Sequence, residues 1–372
     1  CPAYHLAQLN RYMLGSIQFS SGCPFACEFC DIPALYGRKP RVKAPTQVLQ
    51  ELDQLRAGGL DAVYFVDDNF IANPNATLEL LPHLATWQQA HGYPLRLACE
   101  ATLNLAGHPH ILELMREAFF VTVFCGIETP EPVALRAMRK TQNLRAPILE
   151  SVVTLNRYGL EVASGIIMGL DTDTPETPQA IIDFARLSHI PLLTVNLLYA
   201  LPHTPLYARM QQAGRIVSDA DRDSNIAFLE TYETVVARWQ QVISEIYEPA
   251  NLYARFAAQA RETYPNRVPA AYSKNQLTAN NLQRLLRIAP RLLWQVGLRS
   301  DYRRHFWALV GQQMRQGNLE SVFHAAVVAH HLITYSRECI NGVMQSSNYS
   351  QRAVKELEDH SRNKSASPAN II

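Results

Sequence analysis

The sequence holds no unbroken run of about 18 apolar residues, which excludes a transmembrane helix. It also lacks an excess of either charge: 34 basic side chains face 33 acidic ones, and a net charge of +1 exerts no global pull on nucleic acid. Cysteine is scarce, at 7 in 372 residues. That is too few for a disulfide scaffold and suits a reducing, cytoplasmic compartment. No initiator methionine precedes Cys1 and no basic-then-apolar leader follows it, so no signal peptide can be read and the chain reads as a fragment. Apolar residues, by contrast, are plentiful at 48%, enough to bury a large core and to argue against global disorder. A length of 372 residues suits two domains at about 100–200 residues each.

Cysteine spacing carries the sharpest signal. Cys1, Cys99, Cys125 and Cys339 are scattered, and Cys99 and Cys125 lie in apolar runs as small buried hydrophobes would. The other three stand together in Cys23-Pro24-Phe25-Ala26-Cys27-Glu28-Phe29-Cys30. Zinc usually takes a fourth protein ligand, yet no second Cys pair and no His at finger spacing is present. A four-iron cluster held by three cysteines leaves one iron open to an outside ligand. Chance clustering or a zinc loop is the alternative.

From residue 15 onward, short apolar runs alternate with helical patterns. Runs at 17–20, 62–66, 95–99, 121–125, 162–170 and 194–198 predict strands, with helices between them. Thr46 is placed to cap the first helix, whose Val48, Leu49, Leu52 and Leu55 recur at helical spacing until Gly58-Gly59 ends it. Fully apolar strands mean a parallel sheet buried on both faces, and six βα units make an α/β partial (β/α)6 TIM-like barrel, short of the eight units of a closed one. Polar residues gather just past the strand ends: Asp67-Asp68-Asn69, Glu100, Glu128 and Asp171. Parallel α/β folds bind ligands at that edge, although such carboxylates also cap helices, the better reading for Asp171. The basic loop Arg38-Lys39-Pro40-Arg41-Val42-Lys43 reads as an anion contact or a solvated loop.

Farther on, the strand signal stops. Ile226, Leu229, Tyr232, Val236, Trp239, Ile243 and Ile246 form one helical stripe, so an all-α C-terminal part is expected, followed by a disordered tail rich in Ser, Asn and Lys. Between Leu282 and Arg304, six arginines (Arg284, Arg287, Arg291, Arg299, Arg303 and Arg304) stand against the single acid Asp301, beside Trp294 and Leu298. Such a segment packs on an acidic partner domain or lies on an anionic membrane. His324, His330 and His331 have no partner carboxylate in the sequence pattern and read as structural.

The CxxxCxΦC spacing, with Phe29 before the last cysteine and a six-unit βα repeat behind it, resembles the radical S-adenosylmethionine (SAM) superfamily. Ser16-Ile17-Gln18-Phe19-Ser20-Ser21-Gly22-Cys23, Phe65-Val66-Asp67-Asp68-Asn69-Phe70, Gly126-Ile127-Glu128-Thr129-Pro130 and Leu201-Pro202-His203-Thr204-Pro205-Leu206-Tyr207 are similar to its cobalamin-binding (B12-dependent) methylase branch, which includes hopanoid-modifying enzymes. The resemblance implies that Cys23, Cys27 and Cys30 ligate a [4Fe–4S] cluster, with SAM on the open iron. One electron from a reductase, flavodoxin or ferredoxin then releases a 5′-deoxyadenosyl radical. It also implies that Phe29 packs near the adenine, and that Asp67, Asp68 and Asn69 replace a Gly-Gly-Glu segment that handles the SAM amino group. Glu100 and Glu128 would contact the amino-acid and ribose parts, while Met168 and Leu201 would flank the adenine. Cobalamin is the further cofactor implied, and its domain precedes the core in this branch. The expected organisation is therefore a linker from a missing N-terminal domain at 1–14, a radical SAM core at 15–217, a helical domain at 218–345 and a tail at 346–372. The implied activity is methylation of an unactivated carbon in a small molecule or a lipid such as a hopanoid, with peripheral membrane contact and no nucleic-acid partner. A cobalamin-independent radical SAM enzyme and a non-catalytic iron–sulfur electron carrier are the competing readings; the carrier has no need of strand-end carboxylates.

Overall fold

The computed structural model describes residues 2–219, 222–268, 286, 288–316 and 319–342. Arg284, Arg287 and the tail expected at 346–372 lie outside the described residues. β1 (Gly15–Ile17) leads into a short antiparallel ribbon of β2 (Ser20–Ser21) and β3 (Arg41–Val42). β4 (Ala62–Phe65), β5 (Arg96–Glu100), β6 (Phe120–Glu128), β7 (Glu161–Met168) and β8 (Leu193–Leu197) then follow. The main sheet has six strands in the order β1-β4-β5-β6-β7-β8, all parallel. This is the partial barrel expected from the apolar runs.

The ribbon encloses α1 (Ile32–Leu35), and the sheet crossovers are α2 (Pro45–Ala57), α3 (Pro74–Ala90), α4 (Pro109–Glu117), α5 (Pro132–Ala137) with α6 (Ile148–Arg157), and α7 (Thr177–Ser188). Proline opens α2, α3, α4 and α5, where its fixed φ suits a first turn and its missing N–H has no partner to lose. Pro45, rather than a cap at Thr46, starts α2: Ala44 is the N-cap and donates its N–H to Gln47 Oε1 at 3.0 Å. Val63, Phe65, Leu97, Cys99, Val123, Cys125, Val162 and Ile166 are fully buried beneath Leu52, Leu55, Leu80 and Leu84 of the flanking helices.

α8 (Pro205–Gln212) follows β8, and α9 (Tyr232–Ile246), α10 (Pro249–Glu262), α11 (Arg303–Gln316) and α12 (Leu319–Ile340) form the helical region. β8 is an edge strand, and α9 covers it: Trp239 Nε1 donates to Val195 O at 2.9 Å and Tyr247 OH to Leu193 O at 2.6 Å. Those bonds satisfy carbonyls that an open edge would leave bare. Under the amino-terminal edge, Arg267 donates to Gly159 O and Val121 O at 3.0 and 2.8 Å. There Glu161 accepts from Tyr264 OH and His324 Nε2, so the histidine that lacked a carboxylate in the sequence pattern has one in space. Described residues on both sides of the expected 217/218 boundary, 215–219 and 222–228, lie together: Val217 N donates to Asn225 O at 2.8 Å and Ala227 N to Arg215 O at 2.8 Å. They are tied to the β8 exit by Asn225, which both accepts from Ala200 N and donates to Ala200 O at 2.8 Å. Among the described residues no helix is long and apolar enough to cross a membrane.

Candidate active site

The cysteine loop leaves the carboxyl-terminal edge of the sheet just past β1, and the β4 exit builds its floor. Asp67 accepts from Phe19 N (2.7 Å), Ser20 N (2.8 Å) and Ser20 Oγ (2.7 Å), so its carboxylate is spent on the backbone that delivers the loop. Burial nonetheless pushes its pKa up to about 6 against those donors. Asp68 holds Gly22 N at 2.6 Å, where the chain turns at φ +94 and a Cβ would meet Gly37 O at 3.0 Å. Only glycine turns there without strain. Asn69 Oδ1 accepts from Ile71 N and Thr102 N, while its buried Nδ2 makes no close hydrogen bond and faces Cys23 closely enough to favour the thiolate.

Two further clamps hold the loop from the far side. Glu28 N donates to Met138 O at 2.9 Å, Glu28 O accepts from Leu206 N at 2.9 Å, and the Glu28 carboxylate takes Arg209 in a forked pair at 2.5 and 3.1 Å. Arg209 also reaches Asp171, which Arg215 holds at 2.7 Å. Asp171 is therefore an ion-pair hub rather than a helix cap. The basic loop is tied down as well: Arg38 donates to Pro24 O at 2.8 Å and Lys43 pairs with Glu51 at 2.7 Å.

Cys27 is buried, while Cys23 and Cys30 are half-buried. Burial first, and then the neighbouring thiols, raise Cys23, and push Cys30 up to about 11. Thiols that raise one another share a pocket, and a cationic metal centre is what removes their protons. Among the described residues no three Cys, His, Asp or Glu side chains close on a single ion. Three thiols gathered in one pocket are a donor set of the kind a four-iron cluster takes.

Opposite the loop stands a group of buried residues that no sequence periodicity marks. Glu128 ends β6 at φ +67, where the register with β7 shifts, and pairs with the buried Lys140. Burial works to lower the Lys140 pKa, but Glu128 and then Cys27 prevail and hold it raised, so an ammonium sits between carboxylate and thiols. Its Nζ lies 5.5 Å from the centre of the Phe29 ring. Two residues on, Gln142 donates from Nε2 to Cys27 Sγ at 3.3 Å, and Asn143 ties the turn to Gly126 O and Ile127 O. A lysine followed by two amides is an ordinary surface pattern in sequence; only the fold buries it.

The remaining sequence-derived positions sit around this edge. Glu100 ends β5 and accepts from Tyr64 OH at 3.3 Å; burial raises its pKa against that bond. Phe29 packs with Leu198, Ala200, Leu206 and Met210. Met168 is buried in the main core at the end of β7, its carbonyl taken by Leu198 N at 2.7 Å. Leu201 lies in the loop after β8, its carbonyl accepting from Thr204 Oγ1 at 2.6 Å. The fold thus gathers the three cysteines, Phe29, Asp68, Asn69, Glu100 and Glu128 on one edge, with Asp67 behind the loop.

Comparison with known proteins places the chain in a family. Residues 17–185 match the radical SAM superfamily, and residues 204–345 match a domain of unknown function, DUF4070. The chain is 51% identical over 352 residues to the hopanoid C-2 methylase of Rhodopseudomonas palustris (strain TIE-1), covering 94% of this chain and 67% of that protein. It is 29% identical to the bacteriochlorophyllide d C-12(1)-methyltransferase of Chlorobaculum tepidum, covering 53% of this chain and 42% of that one. The radical SAM methyltransferase TsrM of Kitasatospora setae, solved with cobalamin and a [4Fe-4S] cluster, superposes with a TM-score of 0.50 at 19% identity over 71% of this chain and 54% of that one. The last is a likeness of fold.

Proposed function

The chain belongs to the radical SAM superfamily, and on that premise we propose that it performs the radical chemistry of a cobalamin-dependent methylase acting on an unactivated carbon of a pentacyclic hopanoid lipid. The superfamily brings a [4Fe–4S] cluster and SAM as cofactors; the lipid and the carbon position rest on likeness to the R. palustris enzyme, whose length this chain spans by about two thirds, and cobalamin rests on the motifs similar to the cobalamin-binding branch. When bound, the cluster and SAM supply a 5′-deoxyadenosyl radical by one-electron cleavage of the sulfonium, and cobalamin supplies a methyl group.

The chain's own residues bind, orient and exclude water. Cys23, Cys27 and Cys30 hold three irons and leave the fourth without a protein ligand. Asp67 and Asp68 fix the loop that presents them, and Asn69 faces Cys23 beside it. Glu100 and Glu128, on neighbouring strand ends, meet the amino-acid part and the ribose of SAM, with Lys140 neutralising Glu128. Phe29, Met168 and Leu201 supply the apolar side on which an adenine ring rests. A dry pocket matters because cluster potential follows exposure and hydrogen bonding at sulfur. A reductase, flavodoxin or ferredoxin of a reducing cytoplasm is the electron source.

The observation that carries this reading is the cysteine trio clamped on the carboxyl edge beside two strand-end carboxylates. Its test is the enzyme with cobalamin, SAM, reductant and an unmethylated hopanoid under anaerobic conditions. A methylated lipid together with 5′-deoxyadenosine is expected. 5′-Deoxyadenosine without methyl transfer to any hopanoid would overturn the substrate and leave the radical chemistry standing.

A further inference from the structure

The region between residues 288 and 316 carries exposed apolar side chains at a density that water alone does not favour. Trp294 is 60% exposed, Leu298 59%, Trp307 45% and Met314 64%, with Leu293 beside them. They belong to two packed elements. Leu293–Arg299 is a wide π-helical turn whose inner side buries Val296, and α11 buries Phe306 and Leu309 on its own inner side. Trp307 Nε1 donates to Gly297 O at 2.8 Å, and a Cβ on Gly297 would already stand 3.2 Å from the Trp307 ring. The glycine lets the turn close on the helix, so Trp307 sits against the turn that carries Leu293, Trp294 and Leu298.

The charge around these side chains has one sign. Arg291, Arg299, Arg303, Arg304 and Arg315 are exposed, and none holds an ion pair among the described residues. The acid in this stretch, Asp301, is already taken by both terminal nitrogens of Arg337 at 3.0 and 2.8 Å. Unpaired guanidiniums interleaved with Trp and Leu match the boundary of an anionic bilayer, where rings and aliphatic chains enter the headgroup layer and arginines meet phosphates. A protein partner would offer fixed carboxylates at fixed positions, whereas a lipid surface neutralises arginines wherever they fall on the face. Charge complementarity therefore selects an occupant.

We infer that this face of the helical region, within the domain of unknown function, is a peripheral membrane-docking surface for anionic phospholipid. The turn that carries it packs on α11, and α11 on α10 and α12; α12 in turn reaches the amino-terminal edge of the sheet, opposite the cysteines, through His324. This face acts as a tether that keeps the enzyme at the bilayer. Its purpose rests on the lipid substrate proposed above, although the surface chemistry stands without it.

The test is flotation of the full protein with vesicles of phosphatidylcholine alone and of phosphatidylcholine mixed equally with phosphatidylglycerol. The protein is expected to float with the mixed vesicles, to be released by high salt, and to stay down with phosphatidylcholine. The triple variant R299E/R303E/R304E and, separately, W294S/L298S should each lose at least tenfold in vesicle partitioning. Circular dichroism of both should be unchanged, because every altered side chain is exposed. A protein that stays down with both vesicle types, as one docking an acidic protein would, overturns the inference. So does flotation indifferent to both variants. Methylation of a detergent-solubilised hopanoid separates the two readings: a false tether leaves it intact, and a false substrate abolishes it while flotation persists.

Discussion

A lysine buried between a carboxylate and two thiols is expensive to leave unpaired. Lys140 and Glu128 are both buried, so Lys140→Met strands a carboxylate and should cost about 3–5 kcal/mol in urea unfolding. An unchanged midpoint would mean that the pair is solvated. Gln142 acts on the sulfur itself. Its N–H···S bond to Cys27 would spread charge from that thiolate in the proposed cluster, which favours the reduced form. Gln142→Leu should therefore shift the midpoint potential to more negative values in an EPR-monitored redox titration, with cluster loading retained; no shift removes Gln142 from the tuning. Neither residue was legible in the sequence. The cysteines announce themselves because metal ligation needs one residue type at close spacing, whereas Lys140 and Gln142 act only because a short turn folds them under the cysteine loop. Asp67 shows the converse. It stood out as a strand-end carboxylate, yet backbone and hydroxyl donors from Phe19 and Ser20 occupy it.

At the scale of elements, apolar runs located the strands of the main sheet from β4 onward, while β1 lies at Gly15–Ile17, ahead of the expected 17–20. β1, β4, β5 and β8 alternate buried residues with half-buried or exposed ones rather than burying both faces alike. The β2–β3 ribbon escaped notice because two-residue strands leave no period to read. The docking of the helical region on the sheet was also hidden, for its contacts join residues from 44 to 163 positions apart. Glu161 is the centre of that docking. Burial alone would raise its pKa, but His324, Arg267 and the Tyr264 hydrogen bond prevail and hold it down at about 2, against an ordinary 4.5. A carboxyl depressed on folding stabilises the fold above pH 4.5 and loses that stabilisation as pH falls toward 2. Glu161→Gln should accordingly be less stable than the parent by roughly 3 kcal/mol at neutral pH. The gap should close as pH falls through that window in paired urea titrations. A gap independent of pH would show that the charge of Glu161 does not secure the docking.

For the molecule as a whole, the sheet places its ligand edge and its docking edge at opposite ends. The cysteine loop, the β4 exit, Glu100 and Glu128 share the carboxyl end; Arg267, Glu161 and His324 of α12 share the other, and α12 carries α11 on its flank. Such a division lets a tether and a radical site coexist without competing for surface. The central claim is that three cysteines on the carboxyl edge hold a cluster with one iron free for SAM. Anaerobic reconstitution, reduction with dithionite, addition of SAM and chromatographic detection of 5′-deoxyadenosine test it most directly, with Cys27→Ala in parallel. The account predicts 5′-deoxyadenosine from the loaded protein, and neither a four-iron cluster nor product from the variant. A fully loaded cluster that leaves SAM intact, or a variant that still assembles four irons, would contradict it.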